Sequence, residues 1–232
     1  MTEPAVALHE VRFAYPGGAS ILDIPALHVA RGERLFLHGP SGSGKTTLLG
    51  LIAGVLAPTA GRVQVLGQDL GAMGSAQRDR FRAAHVGYVF QMFNLIPYLS
   101  VRENITLPVR LSRSRRERLG GADFDGEASR LAASLEIDGL LDASTASLSV
   151  GQQQRVAVAR ALIGAPELIV CDEPTSALDA DRRDRFLELL FASVRQVGST
   201  LIFVSHDLSL AERFGRTVAL AQLNRRSTAA AA

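Results

Sequence analysis

One short segment combines closely spaced glycines with a lysine and a threonine. Residues 39–46 read GPSGSGKT and fit the spacing G-x-x-x-x-G-K-[ST]. Gly42 and Gly44 allow main-chain N–H groups to turn onto phosphate oxygens, because neither carries a Cβ. In such a loop Lys45 supplies a point charge to the β- and γ-phosphates, and Thr46 supplies a hydroxyl to Mg²⁺. The residues predicted to hold these phosphates are Gly39, Pro40, Ser41, Gly42, Ser43, Gly44, Lys45, Thr46 and Thr47.

The lysine of this loop is unusual in the chain. Lysine and arginine together number 25, and Lys45 is the only lysine among them. A lysine offers a compact, mobile ammonium, whereas an arginine offers a planar fork. A sequence so strongly biased to arginine that keeps lysine at this one position favours a catalytic role for Lys45.

Three further polar residues follow apolar runs that read as buried strands. The run 168–171 ends in Asp172 and Glu173, and the run 201–204 is followed closely by His206. In open α/β sheets, ligands bind at the carboxyl ends of the strands. Beside a phosphate loop, Asp172 is predicted to approach Mg²⁺ through water, and Glu173 to orient and deprotonate the attacking water. His206 is predicted at the same edge, from which an imidazole can donate to the γ-phosphate.

Predicted strands and helices alternate along the chain and would position these residues. Buried strands alternating with helices predict a parallel α/β sheet. Leu48, Ile52 and Val55 are predicted to share one face of the first helix. Between 91 and 147, proline, charge and helical periodicity replace the apolar runs, which predicts a helical insertion. The predicted strands are 6–13, 35–37, 61–66, 86–90, 168–171 and 201–204, and the predicted helices are 46–56, 153–163 and 181–195.

The overall composition is that of an ordinary globular chain, with 47% hydrophobic and 21% charged residues. No apolar run approaches the roughly 20 residues of a membrane helix, and the N-terminal segment lacks a signal-peptide pattern. The single cysteine, Cys171, excludes an internal disulfide. We therefore expect a cytoplasmic chain. The net charge of +2 is too small to indicate a nucleic-acid partner.

One local run of basic residues has two interpretations. It is a solvated helix face, or it is a patch that faces anionic lipid or a protein partner. The run consists of Arg110, Arg113, Arg115, Arg116 and Arg118.

Further segments, in order, resemble the motifs of the ATPase subunits of ABC transporters. Residues 148–152 read LSVGQ and are similar to the LSGGQ signature of that family. Gln91 falls where the family has its Q-loop glutamine, and residues 176–179 (SALD) resemble its D-loop. Tyr15 falls where an aromatic ring stacks on adenine, and His206 falls at the switch histidine.

The resemblance covers nearly the whole chain and implies its fold. The fold class is α/β: a P-loop NTPase core with a mostly parallel sheet, an antiparallel β subdomain and an inserted helical subdomain. Residues 1–90 and 148–226 would form the nucleotide-binding core of a single ABC ATPase domain. Residues 91–147 would form the insertion, and 227–232 a disordered tail.

The resemblance also implies that two chains sandwich two ATP molecules head to tail. Ser149 and Gly151, at a helix start, would then bind the γ-phosphate of the ATP held by the partner chain. The further residues implied in this way are Tyr15, Gln91, Ser149, Gly151, Gln152 and Asp179 for ATP, and Thr46, Gln91 and Asp172 for Mg²⁺.

One position departs from the family signature. Val150 replaces its first glycine, and a β-branched residue disfavours a positive φ and adds bulk near the phosphate. Ser149 and Gly151 retain the contacts credited to them, so we expect a working site. A slower site is the alternative.

The segment 87–97, with Leu107 and Pro108, resembles the lipoprotein-releasing and macrolide-exporting branch. Polar amino-acid importers share part of it. In either branch residues 91–147 would contact a membrane permease, and the chain would lie peripherally on the inner face of the cell membrane. The second ATPase subunit would be another copy or a homologue.

Two alternatives come from other functional classes. A DNA-associated ATPase of the chromosome-maintenance type is disfavoured, because 91–147 is short and lacks sustained heptads. A regulatory module without hydrolysis is disfavoured by the presence of Glu173 and His206.

Overall fold

The computed structural model describes residues 3–120, 123–176 and 178–226. By its internal contacts the chain divides into two compact units. Unit 1 consists of Met1–Arg82 and Thr200–Ala232, and unit 2 consists of Ala83–Ser199. In the described ranges there is no helix with the length and apolar character needed to span a membrane. The elements are β1 (Val6–Ala14), β2 (Ser20–Val29), β3 (Arg34–His38), α1 (Lys45–Ile52), β4 (Ala60–Val65), β5 (Gln68–Asp69), α2 (Ser75–His85), β6 (Val86–Val89), α3 (Val101–Leu111), α4 (Arg113–Arg118), α5 (Phe124–Ser134), α6 (Val150–Leu162), β7 (Leu168–Asp172), α7 (Ala180–Val197), β8 (Thr200–Ser205), β9 (Arg216–Ala219) and α8 (Leu220–Leu223).

Unit 1 contains an antiparallel sheet and parallel strands, as the predicted fold class requires. The antiparallel sheet has the order β2-β1-β4-β5. Pro25 lies in the edge strand β2, where its missing N–H interrupts no ladder. In the parallel part, β3 pairs with β8 on one side and with β9 on the other. Leu35, Phe36 and Leu37 of β3 are buried, which confirms the predicted buried strand.

The helix that follows β3 is shorter than predicted. Leu48 and Ile52 are fully buried in α1, but the helix ends at Ile52 rather than at residue 56. Gly54 takes a φ of 71°, a left-handed conformation that commonly ends helices. Val55 is consequently 55% exposed, so its predicted place on the buried face was wrong.

Unit 2 contains β6 and β7, which pair in parallel, together with the helices of residues 91–147. Val86 pairs with Leu168 and Val89 with Cys171. Every residue of β7 is buried, as its uninterrupted apolar run predicts. α3 packs against α5 and α6. The predicted division into a core and an insertion remains a prediction, and the predicted tail 227–232 lies outside the described residues.

The arginine run of α4 is neither a uniformly solvated face nor a patch of free charges. Arg115 is only 2% exposed and donates to the carbonyl oxygens of Val86 at 2.7 Å and Ile163 at 2.8 Å. Arg118 is exposed but also donates to a main-chain carbonyl, that of Gly164, at 2.9 Å. Arg113, with a side chain 85% exposed, fits the solvated interpretation. Both expectations therefore fail for Arg115, because main-chain carbonyls take up its charged group.

Candidate active site

The phosphate-binding loop connects β3 to α1 and takes the backbone shape that its glycines predict. Gly42 has a φ of 76° and Gly44 a φ of 98°, values that only glycine adopts readily. A Cβ at Gly44 would lie 2.9 Å from Cδ2 of Leu22. Gly44 is also the N-cap of α1 and has no side chain to cap it. The N–H groups of the first turn are therefore available to a bound anion.

Lys45 is held against this loop by its own ammonium. The Nζ atom donates to the carbonyl oxygens of Gly39 and Pro40, each at 2.9 Å, and the residue is only 6% exposed. Thr46 is exposed beside it, whereas Thr47 is buried.

Among the described residues, the buried Ser43 hydroxyl oxygen has no hydrogen-bond partner. A buried polar atom at this place fits a loop built to receive phosphate oxygens.

Two further predicted residues of unit 1 lie at strand ends. Tyr15 follows β1, is 46% exposed, and packs edge-on against Phe13 with ring centroids 4.9 Å apart. His206 follows β8 directly and is exposed. Both side chains are thus accessible to a ligand.

In unit 2 the parallel register brings Gln91 and the two acidic residues to one edge of the β6–β7 pair. Val89 lies opposite Cys171, so the segments that follow β6 and β7 leave the strand pair at the same level. Gln91 is exposed just beyond β6. Asp172 is 7% exposed at the end of β7. Glu173, half-buried, has a φ of 47°, a left-handed backbone that is uncommon outside glycine.

Arg160 of α6 fixes the turn that follows Gln91. Its guanidinium donates to the carbonyl oxygens of Phe93 at 2.5 Å and Asn94 at 2.7 Å. Phe93 and Asn94 both have positive φ values, so the clamp holds a turn of unusual shape. Burial lowers the pKa of Arg160. Sequence reasoning missed this residue, since an arginine in a helical pattern gives no sign of its partner.

The signature segment forms the start of α6. Ser149 is the N-cap: its Oγ accepts from the Gln152 N–H at 3.4 Å, and its own N–H donates to Gln152 Oε1 at 2.8 Å. Val150 is the first helical residue and has no positive φ. The expected conflict between a β-branched residue and a positive φ therefore does not arise. A Cβ at Gly151 would meet no atom of the described chain within 4 Å.

A cavity of about 360 Å³ lies beside this helix start, between α6 and α7. Its wall includes Ser149, Gly151 and Arg182. Asp179 caps α7, because its Oδ1 accepts from the Arg182 N–H at 2.9 Å. Ala177, in the segment compared with the D-loop, lies outside the described residues. The structure thus gives Asp179 a capping role in addition to the nucleotide contact implied by the resemblance.

Gln154 is a second residue that sequence reasoning missed. It lies on α6, is 1% exposed, and its Nε2 donates to the Pro174 carbonyl at 2.7 Å. Pro174 directly follows Glu173. Three glutamines follow one another at 152–154, and the sequence alone does not distinguish the buried one.

The donors predicted for Mg²⁺ suit a hard cation that takes most of its ligands from phosphate and water. They are the Thr46 hydroxyl, the Gln91 amide oxygen and the Asp172 carboxylate. Within the described ranges there is no cluster of three or more His, Cys, Asp or Glu able to hold a metal alone. Mg²⁺ in phosphoryl-transfer sites is usually bound in this sparse way, through one or two protein groups and the substrate.

A phosphate-binding loop after a parallel strand, acidic residues at a strand end and a capped signature helix define a nucleotide-binding protein of the P-loop class. The family model described as ABC transporter matches residues 22–176. The chain therefore belongs to the ABC transporter family, of which it is an ATP-binding subunit and an ATPase.

Individual relatives agree with this assignment. The chain is 43% identical over 221 residues to an uncharacterized ABC transporter ATP-binding protein, YbbA, of Escherichia coli strain K12, covering 94% of this chain and 95% of the relative. It is 40% identical to the lipoprotein-releasing system ATP-binding protein LolD of Anaeromyxobacter dehalogenans, covering 94% and 90%. Among solved structures, a dimeric post-hydrolysis state of the ATP-binding cassette MJ0796, bound to ADP and Pi, has a TM-score of 0.82 and 32% identity, covering 92% and 93%.

Proposed function

We propose that this chain hydrolyses ATP as one half of a two-chain sandwich and thereby powers a membrane permease. The start of α6 supports this most directly. The Ser149 oxygen caps the helix while its O–H can still donate, and Gly151 borders open space. Such a helix start binds anions. Because residues 39–47 already provide a phosphate loop, the second anion site suits a nucleotide held by the partner chain.

In the proposed site the loop holds the phosphates through its main-chain N–H groups. Lys45 exchanges the carbonyls of Gly39 and Pro40 for β- and γ-phosphate oxygens. Mg²⁺, when bound, would supply positive charge that neutralises the charge of these phosphates. Thr46, Gln91 and, through water, Asp172 would hold it.

The proposed chemistry rests on positioning and on charge stabilisation, as phosphoryl transfer requires. Glu173 orients the attacking water and accepts its proton. His206 donates to the γ-phosphate, and Tyr15 stacks on adenine through its exposed ring. From the partner chain, Ser149 and Gly151 donate to the same γ-phosphate. Gln152 and Asp179 complete the proposed set of nucleotide contacts.

We further propose that the permease contacts this chain through residues 91–147. A groove of about 300 Å³ borders this segment, and Met92, in its wall, is 81% exposed. Tyr98, 84% exposed, adds apolar surface nearby. A cytoplasmic helix of the permease suits this groove. Arg160 ties the wall of the groove at Asn94 to the signature helix, so movement of the permease would reach the helix start.

The relatives named as lipoprotein-releasing proteins favour a permease of the lipoprotein-release type. The subunit would then work in the cytoplasm, peripherally on the inner face of the cell membrane.

Mixing two inactive variants tests the sandwich. Lys45→Ala removes the phosphate-loop charge, and Ser149→Arg blocks the helix start, so each variant alone should lack ATPase activity. In a mixture, half of the dimers pair one chain of each kind and carry one intact composite site. We expect about a quarter of the wild-type rate. A mixture as inactive as its parents would contradict action between chains.

A further inference from the structure

The backbone of Glu173 is held in an unfavourable conformation. Its φ is 47°, whereas a residue before proline prefers an extended backbone with φ near −120°. A residue stays in such a conformation only where its surroundings over-determine it. The contacts on both sides of Glu173 must therefore fix the direction in which its side chain leaves the chain.

On the N-terminal side the restraint is the strand β7. The strand is buried along its length and pairs with β6 up to Cys171. It therefore fixes the chain as far as Asp172. The fixed strand end alone does not determine the direction of the next peptide.

On the C-terminal side the restraint comes from α6. Pro174 has its own φ fixed by its ring, and its carbonyl accepts the 2.7 Å hydrogen bond from Gln154. The bond within the turn, from the Ser176 N–H to the Glu173 carbonyl, is longer, at 3.3 Å. Gln154 is 1% exposed, so water does not compete for this bond. The bond from Gln154 is thus short and buried, and it fixes the peptide that follows Glu173.

Gln154 belongs to the same helix that presents Ser149. Gln154 lies five residues after Ser149, within the unbroken helix α6. A displacement of the start of this helix would be transmitted to Pro174 through the hydrogen-bonded backbone of α6 and the side chain of Gln154. The helix start and the turn of Glu173 are therefore mechanically linked within unit 2.

We infer that Gln154 is a positioning residue for Glu173: its hydrogen bond to the Pro174 carbonyl keeps Glu173 in the left-handed conformation from which it acts on the attacking water. The inference rests on the proposed role of Glu173 as base. The Gln154 bond also links the two proposed sites of the sandwich. Contact of the partner chain's nucleotide with the start of α6 would act, through Gln154, on the base of this chain's own site.

The test replaces the amide donor and measures turnover apart from binding. Gln154→Met keeps the length of the side chain and removes the donor. We expect this variant to lose about 10-fold in kcat. The KM for ATP and the binding of a fluorescent ATP analogue should stay within about twofold of wild type, since neither uses the Glu173 turn. Gln196→Met makes the same change on an exposed position of α7 and should leave kcat unchanged.

A double-mutant comparison separates positioning from a purely structural role. Once Glu173 is glutamine, Gln154→Met should lower the residual rate no further, because the base it positions is already gone. A further 10-fold loss in the Glu173→Gln background would overturn the inference, and so would wild-type turnover of Gln154→Met. Full activity of Glu173→Gln alone would refute the base itself, and with it the proposed mechanism.

Discussion

Replacing Arg115 by methionine should destabilise the protein far more than the same change at Arg113. Both residues lie on α4, but Arg115 is 2% exposed and Arg113 has a side chain that is 85% exposed. Burial, and then the neighbouring charge of Arg118, lower the pKa of Arg115 to about 10. The guanidinium therefore remains charged at neutral pH.

The magnitude follows from the contacts of this buried guanidinium. It donates to four main-chain carbonyls, those of Ala83 at 2.8 Å, Val86 at 2.7 Å, Ala161 at 3.3 Å and Ile163 at 2.8 Å. Each carbonyl left unpaired costs about 1 kcal/mol or more. Relief of the desolvation of the charge offsets part of this. We expect a net loss of about 3 kcal/mol for Arg115→Met, and less than about 0.5 kcal/mol for Arg113→Met.

Urea unfolding followed by circular dichroism measures the difference. With a slope of about 3 kcal/mol per molar urea, the midpoint of Arg115→Met should fall by about 1 M relative to wild type. Arg113→Met should unfold near the wild-type midpoint. If the two variants unfold together while Arg115→Met loses binding to anionic vesicles, Arg115 faces lipid and the buried assignment is wrong.

Three further predictions concern the site and its supports. Lys45→Ala should weaken ATP binding at least about 100-fold in a fluorescence titration, because a buried charge beside the phosphates is lost; unchanged affinity would refute the loop assignment. Gly44→Ala should cost about 2 kcal/mol or more, since its Cβ would lie 2.9 Å from Leu22 as well as at a φ of 98°. Gly32→Ala is the control, with a φ of 73° and nothing within 4 Å of the added Cβ in the described chain. It should lower the free energy of unfolding by only about 1 kcal/mol in the urea unfolding assay that measures both variants. Glu136→Gln should lower stability at pH 7 by less than about 1 kcal/mol, and the difference should vanish as the pH falls below 4.5, because the hydrogen bond from Arg185, followed by that from Arg155, lowers the pKa of Glu136 in the folded chain. A difference that persists once the pH is low enough to protonate Glu136 in the folded chain would show that the ion pair is not its cause.

Short apolar runs predicted the parallel strands β3, β6, β7 and β8, because strands buried on both faces admit few polar residues. The parallel strand β9, whose residues are exposed or half-buried, was not predicted. The strand β2 was not predicted. Its buried residues alternate with polar ones, and Pro25 interrupts the pattern. The helix α2 was also missed, since it is strongly polar and buries only Phe81 and Ala84.

The candidate residues were predictable where the chemistry fixes their spacing. The phosphate loop is such a case: Gly42 and Gly44 are needed for a backbone that the structure indeed shows at φ values of 76° and 98°. The supports of the site were not predictable. Gln154 and Arg160 act on carbonyls of distant segments, and any helical glutamine or arginine offers the same donors. Their roles depend on tertiary packing, which periodicity does not encode.

Val150 conflicts less with the backbone of the signature segment than the sequence suggested. The expected need for a positive φ does not exist, because the residue is the first of α6. Its side chain is 47% exposed, so it adds apolar surface beside the proposed partner site. We therefore expect an active site of the ordinary kind.

In the proposed mechanism two chains close on ATP, and Glu173 then activates the water that hydrolyses it. The most direct test is the molar mass of purified Glu173→Gln in solution, by size-exclusion chromatography with light scattering, with and without Mg-ATP. We expect a monomer without nucleotide and a stable dimer with Mg-ATP, because closure precedes hydrolysis and the variant cannot complete hydrolysis. A variant that binds Mg-ATP and remains a monomer at every concentration tested would contradict the proposed mechanism.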